Sequence, residues 1–234
     1  GAVIGWRAVF WGLVPMVVVN LLWQWVSLPA MPPRGSIPLS RVFGLLRRRH
    51  VGFGMLAIML TFAGAFASFT YLRPFLETET GAAPEQLSLL LLGLGAAGFA
   101  GTYVAGQLLA RDHLLRLLRG LPVLLALATA GLLLLGHFVP GVAVMMILWG
   151  GINAAIPVCW STWLARALRD EPESGGGLMV ACIQLAIMLG GALGGLLLDS
   201  LSITATFTGG VLLLMLSALI VGGGKRILWA EKRG

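Results

Sequence analysis

Charge is scarce in this sequence, and acidic charge is the scarcest, with 9 acidic against 16 basic residues. Only 11% of its 234 residues are charged, whereas charged residues make up about a quarter of a soluble domain. Apolar residues make up 58%, and the mean hydropathy is +0.94. This composition excludes a water-soluble enzyme, a soluble nucleic-acid-binding protein and a disordered chain. It predicts an all-α protein that spans the lipid bilayer and binds no nucleic acid.

Enzyme and metal motifs are absent from the sequence. It contains no HExxH, no GxSxG and no group of His and Cys at metal-ligand spacing. His50, His113 and His137 lie in predicted loops or at the ends of predicted helices. Cys159 and Cys182 lie in apolar runs and carry no information about a disulfide. We therefore expect no enzymatic activity, no metal and no cofactor.

Charged residues divide the sequence into apolar runs long enough to cross a bilayer, which takes about 20 residues. The run between Arg119 and Arg166 is too long for one crossing, and its segment 136–141 (GHFVPG) indicates a turn. We therefore predict seven membrane-spanning helices. Their ranges are 8–28, 51–72, 86–110, 120–136, 141–165, 176–198 and 203–224.

The basic residues fall on alternate sides of these predicted helices. The loops after the first, third and fifth helices and the tail hold 14 of the 16 Lys and Arg, and the opposite side holds only Arg7 and Arg73. Lys and Arg accumulate in cytoplasmic loops. We therefore expect a multi-pass membrane protein with its C-terminus in the cytoplasm.

The predicted helices fall into two groups separated by a long basic loop. The end of this loop, residues 39–49, has an amphipathic pattern suited to the inner membrane surface. The predicted parts are 1–28 as the end of one bundle, 29–50 as a cytoplasmic linker, 51–224 as a six-helix bundle and 225–234 as a cytoplasmic tail. The sequence has no initiator Met, and we expect further N-terminal helices of the same chain to precede it.

Polar and aromatic side chains within the predicted helices are candidate contacts for a solute, because polar groups are costly at membrane depth. Asn153, Trp160 and Trp163 share one helical face, and tryptophan rings beside an amide suit a flat polar ligand. The alternative is that such side chains satisfy neighbouring helices. The expected contacts are Tyr71, Asn153, Trp160, Trp163, Gln184, Asn20 and Gln24.

Other residues predict how the helices pack and move. Pro157 interrupts a predicted helix and Arg73 is the basic residue of an outer loop, so we expect both in gating. A static kink and an exterior ion pair are the respective alternatives. Closely spaced glycines predict helix packing at Gly95, Gly98, Gly101, Gly190, Gly191, Gly194 and Gly195.

Several segments resemble the drug:proton antiporter branch of the major facilitator superfamily. Residues 5–10 (GWRAVF) resemble its GWRxxF junction, and residues 106–116 (GQLLARDHLLR) resemble a degenerate GxxxDRxGRR loop. Three further segments resemble the purine ribonucleoside efflux pumps of that branch. They are 69–75 (FTYLRPF), 157–166 (PVCWSTWLAR) and 180–186 (VACIQLA).

The resemblance implies helices six to twelve of twelve: the C-terminal six-helix half of a major facilitator bundle plus the last helix of the N-terminal half. It implies proton-coupled efflux, by antiport, of a small polar-aromatic solute such as a purine nucleoside across the inner (plasma) membrane. The partners are then a small-molecule substrate, protons and the lipid bilayer, and the proton carrier lies in the missing N-terminal helices. Sugar or multidrug efflux, and a seven-helix receptor or sensor, are the open alternatives.

Overall fold

The computed structural model describes residues 6–28 and 38–228, with side chains from residue 11 onward. The chain divides into two units, 1–36 and 37–234. The described part of the first unit is one helix, α1 (Trp6–Ser27). The expectations for the start of the linker, the end of the tail and Gly5 of the GWRxxF segment lie outside the described residues.

The second unit is helical wherever the structure describes regular structure. A short helix and a 3₁₀ turn (Leu45–Arg47) precede the long helices. The helices are α2 (Leu39–Gly44), α3 (Arg49–Phe69), α4 (Leu72–Thr78), α5 (Pro84–Ala110), α6 (Leu114–Leu135), α7 (Val139–Ala167), α8 (Pro172–Ser200) and α9 (Ile203–Val221).

Six helical stretches in the described ranges are long and apolar enough to cross a membrane. They are α3 with α4, then α5, α6, α7, α8 and α9. The described apolar part of α1, Trp11–Ser27, is shorter than these. The predicted all-α, polytopic fold is confirmed, with six membrane-length helices in the second unit, as in half of a major facilitator bundle.

Several helix ends differ from the predicted ones, because caps and prolines, not charges, end a helix. α6 begins at Leu114 instead of residue 120, and α8 begins at Pro172 instead of residue 176. Both helices therefore begin with a turn or more that contains charged residues and lies outside the apolar run used for the prediction. α9 ends at Val221, where Gly222 takes a left-handed φ of 48°. Ser202 starts α9 by accepting a hydrogen bond from the Ala205 amide at 3.1 Å.

The predicted helix 51–72 is broken at Thr70 and Tyr71. Pro74 has no N–H, so a continuous helix would leave the Thr70 carbonyl without its partner. The Thr70 amide and hydroxyl both donate to the Phe66 carbonyl, at 3.1 Å and 2.7 Å, and the chain restarts as α4 at Leu72. The break moves Tyr71 out of α3.

The membrane-length helices pack as two sets of three. α7 packs along α5 and α6, α3 packs along α8 and α9, and contacts between α6 and α9 join the two sets. α5 and α8 are the least buried, with 11% and 22% of their apolar windows inside the bundle, against 39% to 61% for the others. The open face of this unit therefore lies along α5 and α8.

Glycines allow the closest helix contacts. A Cβ on Gly101 would overlap the backbone of Gly151 in α7, and a Cβ on Gly150 would overlap the carbonyl of Leu94 in α5. A Cβ on Gly98 would lie 3.4 Å from the Cβ of Ala154. Gly95 departs from the expected pattern, because its added Cβ would have no neighbour within 4 Å.

The glycines of α8 face α3 and Tyr71. A Cβ on Gly190 would overlap the backbone of Ala63, and one on Gly194 would lie 2.9 Å from the Ala67 carbonyl oxygen. A Cβ on Gly195 would lie 2.6 Å from the Tyr71 hydroxyl, whereas Gly191 has ordinary space, with the Thr70 hydroxyl at 3.8 Å. Bulk at Gly190 or Gly194 would push α8 away from α3.

We predict that Gly101→Ala destabilises the protein, because the added methyl forces the α5 and α7 backbones apart. Overpacking of this kind costs about 1–3 kcal/mol. Gly95→Ala is the matched control on the same helix and should leave stability unchanged or slightly higher. Thermal unfolding of the purified variants in detergent measures the difference, and equal melting temperatures for both would contradict the packing described.

Candidate functional site

Tyr71 joins the break after α3 to α8. Its hydroxyl donates to the carbonyl oxygen of Gly191 at 2.9 Å. Its ring lies against Gly194 and Gly195, where no side chain occupies the space. The ring is partly buried, so Tyr71 fixes the two helices together while one part of its surface stays open.

An aromatic cluster, formed by Phe66, Phe69 and Trp149, lies between α3 and α7. The rings of Phe69 and Trp149 stack with centroids 5.5 Å apart and planes 8° apart. Phe66 meets Phe69 edge-on at 5.7 Å. The Trp149 indole N–H donates to the Thr129 hydroxyl at 3.1 Å, which fixes the ring. Phe69 remains 39% exposed, so the cluster offers an accessible aromatic surface.

Asn153 lies one turn after Trp149 on the same face of α7, and it is the middle residue of that helix. Its side chain is partly exposed, and its amide has no hydrogen-bond partner within residues 11–28 and 38–228. Pro157 has no N–H to donate to the Asn153 carbonyl. A side-chain amide and a freed backbone carbonyl therefore occur together at the centre of a membrane-length helix.

Gln184 is a second such amide, near the middle of α8. Its side chain is exposed and has no hydrogen-bond partner in the described part of the chain. Unpaired polar groups at membrane depth cost free energy. Both amides therefore indicate a polar partner that this unit does not itself supply.

The structure buries Trp160 and Trp163, which the sequence analysis expected to contact a solute. They are 1% and 0% exposed, and their rings meet edge-on with centroids 5.6 Å apart. The Trp163 indole donates to the Ile227 carbonyl at 3.0 Å, and its ring fills the space left by Gly54. Both rings act in helix packing in this structure, whereas Asn153, on the same helical face nearer the middle of α7, is partly exposed.

The remaining predicted residues make contacts within their own helices. Arg73 pairs with Glu77 one turn along α4 at 2.8 Å, and both side chains are exposed. This is the ion pair that the sequence left as the alternative to gating. Asn20 and Gln24 are exposed and hydrogen-bonded to each other on α1, which belongs to the first unit.

Sequence patterns missed the aromatic cluster. Trp149 shares a face with Asn153, which was a usable local signal. Phe69 and Trp149, however, are 80 positions apart in the sequence, and no local spacing shows that they stack. Their contact depends on how α3 and α7 pack.

Ion pairs tie the basic linker to the loop between α7 and α8. Arg48 pairs with Asp170, and Arg41 with Glu171, each at 2.7 Å. Hydrogen bonds from these arginines hold the pKa of Asp170 and the pKa of Glu171 below their usual values, and Glu171 raises the pKa of Arg41. Depressed carboxyl pKa values keep both pairs ionised down to acidic pH.

Comparisons with known proteins agree with this architecture. The family model described as Major Facilitator Superfamily matches residues 1–179. The transcription regulatory protein OpdE of Pseudomonas aeruginosa is 44% identical over 224 residues. The purine ribonucleoside efflux pump NepI is 40% identical over 227 residues in Salmonella enteritidis and 41% over 229 residues in Salmonella typhimurium.

The matches cover 94% of this chain for OpdE and 97% for the NepI proteins, but only 56% and 57% of those relatives. The chain thus spans little more than half the length of the curated relatives it matches. The family match covers most of the sequence, and the six membrane-length helices pack as expected for it. The chain belongs to the Major Facilitator Superfamily.

Proposed function

We propose that this chain is part of a transporter that exports purine nucleosides from the cytoplasm across the inner membrane. The observation that carries the proposal is Asn153, an unpartnered amide at the middle of α7 beside an accessible aromatic surface. The NepI relatives, named as purine ribonucleoside efflux pumps, support the substrate class.

The chemistry of a purine matches this surface. A purine ring has two flat faces for stacking, and aromatic stacking of a base contributes about 1–3 kcal/mol. Its edge carries hydrogen-bond donors and acceptors that an Asn amide can bind in pairs. In the proposed mode the base stacks on Phe69 and its edge bonds to Asn153, and Gln184 contacts the nucleoside from α8.

The positions of these groups support transport by alternating access. Asn153 and Gln184 lie near the midpoints of α7 and α8, and transporters of this kind bind their substrates near the bilayer midplane. The open face along α5 and α8 is where a second bundle would close the site. We assign Tyr71 to a hinge position, since it holds the α3–α4 break against α8.

Proton entry drives export in this proposal. The carboxylates of the second unit's described residues lie at helix ends or in loops, not in the middle of the membrane-length helices. We therefore place the proton carrier in the additional length that the relatives have. The basic residues at the end of α7 and around the linker support a cytoplasmic C-terminus.

A regulatory role is the second candidate, because the relative OpdE is named a transcription regulatory protein and is 44% identical to this chain over 224 residues. In that case binding of a solute would matter through its effect on gene expression. Transport by the purified protein distinguishes the two candidates, since a regulator without transport moves no solute.

We predict that inverted membrane vesicles containing the full-length transporter accumulate inosine or guanosine when the pH gradient is inward-acidic. Collapse of the gradient with an uncoupler should remove the accumulation. Arabinose and a common drug serve as competing solutes. Accumulation of arabinose or the drug in place of nucleosides would contradict the substrate class, and accumulation unaffected by the uncoupler would contradict proton coupling.

We predict that Asn153→Ala raises the KM for inosine about tenfold, because a paired amide contact to a base contributes about 1–3 kcal/mol. Thr208→Ala in α9 is the control, since its exposed hydroxyl bonds only to Thr204 of its own helix. Initial rates in the same vesicles, normalised to transporter content, measure the effect. Equal KM values for both variants would remove Asn153 from the site.

A further inference from the structure

A basic cavity lies at the end of the bundle where α5 turns into α6. Its volume is about 550 Å³. Three arginines, Arg116, Arg166 and Arg169, line it together with the carboxylate of Asp112, and Leu115 and Leu228 contribute apolar wall. The cavity is separate from the aromatic cluster and from Asn153, which do not line it.

The charges in this cavity do not balance. Arg166 donates to the Asp112 carboxylate at 2.6 Å, so these two charges compensate each other. Arg116 and Arg169 have no carboxylate partner among the residues that the structure describes. Within residues 38–228, two guanidinium groups thus share a cavity without a carboxylate to offset them, and such a site attracts an anion.

Arg116 stands at one end of a lipid-facing stripe on α6. Leu127 and Leu134 follow it by 11 and 18 residues on the same helical face, and they are 62% and 85% exposed. Leucines so exposed on a membrane-length helix are suited to contact with hydrocarbon. The 18 residues from Arg116 to Leu134 span about 27 Å, close to the thickness of the hydrocarbon core, which places Arg116 at the level of the headgroups.

We propose that this cavity binds the phosphate of an anionic phospholipid, with Arg116 and Arg169 as its ligands. Guanidinium groups bind phosphate oxygens through paired hydrogen bonds. The apolar wall formed by Leu115 and Leu228 accommodates the glycerol and the start of the acyl chains. Basic pockets between membrane helices recognise anionic headgroups in this way. A soluble phosphate shares this chemistry, but it gains nothing from the lipid-facing stripe that leads to Arg116.

Native mass spectrometry of the full-length protein, with phosphatidylglycerol or phosphatidylcholine added, tests the proposal. The wild-type protein should bind phosphatidylglycerol in preference to phosphatidylcholine. Arg116→Gln and Arg169→Gln should each weaken phosphatidylglycerol binding about fivefold, as expected for one basic side chain at an anionic lipid. Arg119→Gln is the control, because Arg119 is exposed on the same helix but outside the cavity. Monodisperse elution of each variant verifies folding.

Three results would overturn the proposal. Equal weakening by Arg119→Gln would assign the effect to diffuse surface charge. Equal binding of phosphatidylcholine would remove the charge requirement. Thermal stabilisation by inorganic phosphate or glycerol 3-phosphate, without a preference for phosphatidylglycerol, would assign the cavity to a soluble anion. Glu231, three residues after Leu228, lies outside the described part, so Glu231→Gln tests whether this carboxylate offsets the two arginines. An unchanged preference for phosphatidylglycerol in this variant supports the lipid phosphate as the counterion, and a stronger preference would assign that role to Glu231.

Discussion

The structure depends on one constraint: a polar group inside the hydrocarbon core must find its partner within the protein. Backbone groups meet this condition by forming helices. The polar side chains of the core meet it by bridging helices, as Thr61 and Ser217 do at 2.7 Å, and as Thr206 does with the Gly194 carbonyl at 3.0 Å. Because lipid provides no hydrophobic force between helices, close backbone contact has to hold them together, and glycines such as Gly101 and Gly190 permit it.

The same constraint makes the exceptions informative. Most intramembrane hydroxyl groups here are paired. In the part of the chain described, the amides of Asn153 and Gln184 and the buried hydroxyl of Ser68 have no hydrogen-bond partner. Pro157 adds a freed carbonyl at Asn153. The two amides lie near the middle of α7 and α8, and Asn153 lies one turn from Trp149. In the proposed function a polar-aromatic solute pairs with them.

Sequence reasoning reached the fold because apolar runs and charges report directly on the bilayer. These signals located the membrane helices but not all of their ends. The break between α3 and α4 at Tyr71 depends on Pro74, and α6 starts early because its first turns contain charged residues outside the apolar run. Asn153, Gln184 and Tyr71 could be named as candidates from residue type and depth. Trp160 and Trp163 show the limit of that approach, since helical spacing identifies a shared face without saying whether it is open or buried. The stacking of Phe69 on Trp149 is a tertiary contact and had no local signal.

Photolabelling tests the central claim, that a purine nucleoside binds between the aromatic cluster and Asn153, most directly. The full-length transporter is irradiated with an azido-inosine, digested and mapped by peptide mass spectrometry. The account predicts label on the α7 segment around Trp149 and Asn153 and on the end of α3 at Phe69, with protection by unlabelled inosine and none by arabinose. Label confined to the lipid-facing sides of α6 and α9, or label that inosine does not displace, would contradict it.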